Sequence, residues 1–95
     1  MSQIITEATG AANSGIVSVS ARDLVSFGIT GTIASGEYAD VQYTDDGGST
    51  WHDLYQDGSQ VRMTDTNNMV TVYGPGIFRI AKEVTASAAG VRRFS

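Results

Sequence analysis

The chain contains no cysteine, one proline, one histidine and two leucines, and Lys82 is its only lysine. Each scarcity closes a class of explanation. Without cysteine there is neither a disulfide framework nor a thiolate metal site. With His52 as the lone imidazole, no H-x-x-x-H pair exists, and neither a G-x-S-x-G nucleophile elbow nor a G-x-x-x-x-G-K-[ST] phosphate loop occurs. No apolar run approaches the ~20 residues of a membrane-spanning helix. The formal net charge is −4 and the only basic pair is Arg92-Arg93, which argues against binding to nucleic-acid phosphates. The opening segment, Met1 to Glu7, lacks the charged and apolar regions of a signal peptide, so synthesis in a cytoplasm is expected.

What is abundant points to strands. Among 95 residues, 41% are hydrophobic and 17% charged, with Val, Thr, Ser and Gly prominent. Period-2 alternation places Val17 and Val19 on one face of the first run. It does the same for Val25, Phe27 and Ile29, continuing in phase through Gly31 to Ile33. Ala39, Val41 and Tyr43 oppose Tyr38, Asp40 and Gln42, and Val70/Val72 and Phe78/Ile80 complete the set. Turn signals separate these runs, among them Asp45-Asp46-Gly47-Gly48, Gln56-Asp57-Gly58-Ser59 and Gly74-Pro75-Gly76. The expectation is an all-β fold, a small antiparallel sandwich or barrel of about seven or eight short strands. Residues 1–15 form an N-terminal arm or an edge strand, and residues 16–95 a single β domain. A domain this small and unstapled is a candidate for homo-oligomerisation or for docking on a larger body.

The stretch Tyr43 to Trp51, YTDDGGSTW, is the densest local signal. Its acids do not follow the EF-hand spacing, so no metal is assigned to it. Thr44, Asp46, Gly48, Thr50 and Trp51 instead match [ST]-x-D-x-G-x-[ST]-W and resemble the Asp-box hairpin of sialidase-like propellers and other β-proteins. The resemblance implies a tight structural turn. Asp46 would accept backbone N–H groups, Gly48 would take a positive φ, and Trp51 would anchor the loop to the core. One copy makes no propeller, whose blades repeat at ~40 residues.

No catalytic residue and no cofactor is expected. His52 and Asp53 alternate to opposite faces and are poorly placed as base and orienter. The candidate interface residues are Tyr38, Tyr73, Arg79, Arg92 and Arg93: by phase Tyr38, Tyr73 and Arg79 face away from the core, and exposed Tyr and Arg suit binding surfaces. Exposed tyrosines also suit sugar stacking.

Together, ADVQYTDDGGSTWHDLY and VTVYGPGIFRIAKEVTASAAGV resemble a recurrent kind of small virion-associated β-protein of tailed bacteriophages. The resemblance implies a non-enzymatic capsid decoration (cement) protein on the virion surface, made in the host cytoplasm. Its partner would be the major capsid protein or another virion protein, with no role for nucleic acid or membrane. A carbohydrate- or receptor-binding module of a tail or fibre is the alternative.

Overall fold

Alternation over residues 24–31 marks a strand with one dry face. In the computed structural model, which describes residues 2–94, β4 (Leu24–Gly31) buries Val25 and Phe27 completely. It pairs antiparallel with β10 (Met69–Tyr73), setting Val25 opposite Val72 and Phe27 opposite Val70. On its other side lies β12 (Ala89–Arg93), followed by β1 (Ser2–Ala8), giving a four-stranded sheet ordered β1-β12-β4-β10. The first residues are therefore an edge strand. Register shifts after Gln3 and after Ile5 bulge this edge. Gly90 permits the close crossing, since a Cβ there would run into the Ile5 carbonyl.

The second sheet is built on the pairing of β5 (Ala39–Thr44) with β11 (Gly76–Lys82), six residues long from Ile77↔Thr44 to Lys82↔Ala39. Short strands extend it on both flanks. β2 (Ala12–Asn13) and β3 (Val17–Val19) pair with β11, while β6 (His52–Asp53) and β9 (Arg62–Met63) pair with β5. β7 (Tyr55–Gln56) and β8 (Ser59–Gln60) form a separate two-residue hairpin. Its Asp57 and Gly58 have φ of 52° and 80°, the double positive φ that a type I′ turn requires and that an Asp-Gly pair supplies.

The two sheets close over one core. Phe27, Val72 and Val91 from the four-stranded sheet meet Val41, Phe78 and Ile80 from the other, with Val61 and Met63 filling the side. Every strand is antiparallel to its neighbours and no helix occurs among the described residues, so the fold is all-β, arranged as a sandwich. Seven of the twelve strands have three or more residues. The other five have two, too short for alternation to show in sequence. That is why buried Val61 and Met63 escape a periodicity reading. β4 stops at Gly31 and does not run on to Ile33, because Gly31 turns to φ +77° against the Ala88 carbonyl.

Truncating the centre of this core measures its worth. Phe27→Ala is expected to lower unfolding free energy by about 3–5 kcal/mol in urea titrations. Exposed Ser18→Ala should stay within roughly 0.5 kcal/mol.

Candidate functional site

The acidic loop is closed by its own side chains. Asp46 Oδ1 accepts the backbone N–H groups of Ser49 at 3.1 Å and Thr50 at 3.0 Å. The Thr44 hydroxyl donates to the same oxygen at 2.8 Å and accepts the Gly48 N–H at 3.0 Å. Gly47 and Gly48 take φ of 81° and 106°, which side-chain-bearing residues rarely adopt. The Thr50 N–H first, and the Thr44 hydroxyl next, hold the Asp46 carboxyl well below the usual carboxylate range. This is a turn in which Asp46 Oδ1 is already occupied by the chain. Among the described residues no group of three or more His, Cys, Asp or Glu is placed to hold a metal ion.

Trp51 departs from the expectation that it anchors the loop to the core. Its ring is half-buried outside the six-stranded sheet, beside Gly48, with the Arg79 guanidinium 4.6 Å from the ring centroid. The register explains this. Tyr43 opposes His52 and Gln42 opposes Asp53, so Trp51 falls in phase with the outward-facing Gln42.

That outer face gathers most of the recognition chemistry. Arg79 Nε donates to Gln42 Oε1 at 2.8 Å, and Gln42 Nε2 donates to Asp53 at 3.3 Å. Along the same strand, Arg62 grips Asp40 with two hydrogen bonds, Nε to Oδ1 at 2.6 Å and Nη2 to Oδ2 at 3.1 Å. The Arg62 guanidinium also lies 3.9 Å from the centroid of the Tyr38 ring. Two arginines thus sit on two aromatic rings over strands that cannot move independently, contacts worth about 0.5–1 kcal/mol each at exposed positions.

The five candidate interface residues do not converge. Tyr38 and Arg79 share the outer face of the six-stranded sheet. Tyr73 and Arg92 lie on the outer side of the four-stranded sheet, in phase away from buried Val72 and Val91. Arg93, in phase with Val91, lines a small cleft with Ser18, Ser20 and Asp23. Trp51 and Arg62, which join Tyr38 and Arg79 on the outer face, are not among those five. Carrying the alternation through the hairpin would have found Trp51, whereas Arg62 lies in a two-residue strand without a periodic signal.

Two further surfaces stand out. On the outside of the four-stranded sheet, Leu24 and Tyr73 are register partners, 50% and 62% exposed, with Met69 nearby on the same strand. The Phe94 ring lies over Gly28, the register partner of Met69, and between the two ends Ser26 hydrogen-bonds Thr71 at 2.9 Å. On the outward positions of β4 and β10 there is no charged side chain. At one end of the sandwich, Tyr43, Tyr55, Tyr73, Pro75, Ile77 and Phe78 line an open cleft of about 440 Å³.

His52 Nε2 lies 4.0 Å from Asp45 Oδ1, both well exposed, and its ring is tilted against Tyr43 at 5.3 Å. No protein-family model, curated protein or solved structure matches the chain.

Two measurements test these contacts. Arg62→Ala leaves the Asp40 carboxylate, 11% exposed, without its partner and should cost about 1–3 kcal/mol in denaturant titrations. Arg62→Lys should recover only part, because an ammonium lacks the planar fork. Glu37, whose carboxylate accepts the N–H groups of Ala34 and Ala86 at 2.7 Å each, is likewise held below its ordinary 4.5 by those two bonds. Because both folded values are depressed, the Asp46 and Glu37 contributions are fully present above the ordinary 3.8 and 4.5 and fade as pH falls below them. Asp46→Ala should therefore melt below wild type at neutral pH, with the gap narrowing in acid. A gap constant with pH would contradict the carboxylate's role.

Proposed function

We propose that the chain is a non-enzymatic structural protein of a tailed-bacteriophage particle, a decoration (cement) protein that binds and braces the outer head shell. The observation that carries this reading is the outer face of the six-stranded sheet. Tyr38, Arg62, Trp51 and Arg79 form a half-buried strip of the residue types that dominate binding energy at protein interfaces. Arg62 and Arg79 sit on paired strands and Tyr38 and Trp51 directly beside strand ends, each ring under a guanidinium, so little ordering entropy is lost on binding. The sequence resemblance to small virion β-proteins supplies the partner: the major capsid protein or a neighbouring virion protein.

A homo-oligomer suits the same reading. An acidic chain meets a second copy with least repulsion where no carboxylate intervenes, and the β4–β10 face around Leu24 and Met69 has that character. Binding the shell in the folded form alone would in turn raise the apparent stability of so small a domain.

Capsids lacking the protein provide the test. The purified chain is expected to co-sediment with them and to raise their resistance to heat. The double variant Tyr38→Ala/Arg79→Ala should bind at least tenfold more weakly while remaining folded, with a stability loss of about 1–2 kcal/mol from the two ring contacts. Leu24→Asp should shift the free protein to a smaller species in sedimentation velocity. If the chain leaves capsid binding and heat resistance unchanged, the decoration reading falls.

A further inference from the structure

Three of the four tyrosines in the chain line one cleft, although they come from three separate strands. Tyr43 lies on β5, Tyr55 on β7 and Tyr73 at the end of β10, and Pro75 and Phe78 complete the walls. Tyr55 and Tyr73 are 61% and 62% exposed, so packing does not explain why they stand together. We infer that this cleft is a binding site for a neutral saccharide, lined by none of Tyr38, Trp51, Arg62 and Arg79 of the proposed capsid-facing strip.

The lining chemistry selects the ligand. Phenol rings offer flat apolar faces to the C–H faces of a pyranose, and their hydroxyls donate and accept in the way sugar hydroxyls require. Neither Lys nor Arg lines the cleft, so nothing there neutralises a phosphate or a sugar carboxylate, and Asp53 at the rim disfavours both. Its volume of about 440 Å³ falls within the ~300–1,000 Å³ of small-molecule sites. The hydrogen bonds that fix the walls lie behind them. Leu54 donates to the Val41 carbonyl at 3.0 Å and Val61 to the Leu54 carbonyl at 2.8 Å, while Gln56 Nε2 ties β7 to the Thr71 carbonyl of β10 at 3.2 Å. The last bond couples the elements carrying Tyr55 and Tyr73, so the two rings are positioned relative to each other before any ligand arrives.

The fourth tyrosine, Tyr38, packs under Arg62 elsewhere and serves as an internal control. Protein with isotope-labelled tyrosine rings is titrated to millimolar concentrations of chitotetraose, maltohexaose and cellohexaose, and separately with a polyproline decapeptide. At least one saccharide should shift the ring resonances of Tyr43, Tyr55 and Tyr73 and leave Tyr38 in place. Tyr55→Ala, an exposed position where truncation opens no cavity in the core, should weaken that saccharide about tenfold, the equivalent of one lost aromatic contact. Tyr55→Ala should bind capsids as wild type does, which separates this site from the proposed decoration surface. Absence of any saccharide-induced shift, shifts confined to Tyr38, or a response to polyproline alone would overturn the assignment.

Discussion

Everything on the surface of this protein depends on the pairing of β5 with β11. Six residue pairs in register decide which side chains enter the core and which leave it. Ala39, Val41 and Tyr43 face inward with Phe78 and Ile80, while Asp40 and Gln42 face outward with Arg79. A slip by one residue would exchange the two sets. The buried Val41, Phe78 and Ile80 make that slip prohibitive, and the same constraint holds Gln42 where it can link Arg79 to Asp53.

The termini of this ladder are tied down by polar groups rather than by a larger core. At one end the Asp46 hairpin satisfies its own backbone. At the other, Lys82 is almost fully buried, and its ammonium donates to the Gly10 carbonyl at 2.6 Å. Glu37 bridges the turn at Ala34 to the loop at Ala86 nearby. Ser14 takes the place of a strand residue, giving its N–H to the Ile80 carbonyl and accepting the Ile80 N–H on its hydroxyl, both at 2.8 Å. Such bonds contribute about 1 kcal/mol each when made and cost more than that when a buried group is left unpaired. In a small domain without disulfides they set where the sheets end and the loops begin.

The all-β class, the main strands and the closed hairpin were legible in the sequence because each rests on local physics: period-2 alternation, turn chemistry, and an aspartate within reach of nearby amides. What was not legible required contacts distant in sequence. Gln42 and Arg79 are 37 residues apart, and Asp40 and Arg62 are 22 apart. Trp51 was assigned to the core by its apolar area, yet register places it outside, where Arg79 covers its ring. The tyrosine cleft is likewise invisible along the chain, because its walls come from strands in different sheets. Of the five interface candidates chosen by phase and residue type, only Tyr38 and Arg79 share the outer face of the six-stranded sheet.

The protein is best understood as a rigid carrier of surfaces. One face presents arginines seated on aromatic rings, another is uncharged along β4 and β10, and one end opens into a cleft of tyrosines. All three are carried by the two sheets packed over one core and by the hairpins that flank them. A shell-binding protein uses such surfaces in many identical copies, each occupying an equivalent site. Quantitative mass spectrometry of purified particles tests this most directly. The account predicts a copy number in simple proportion to the major capsid protein, and absence of the chain from purified particles would contradict it.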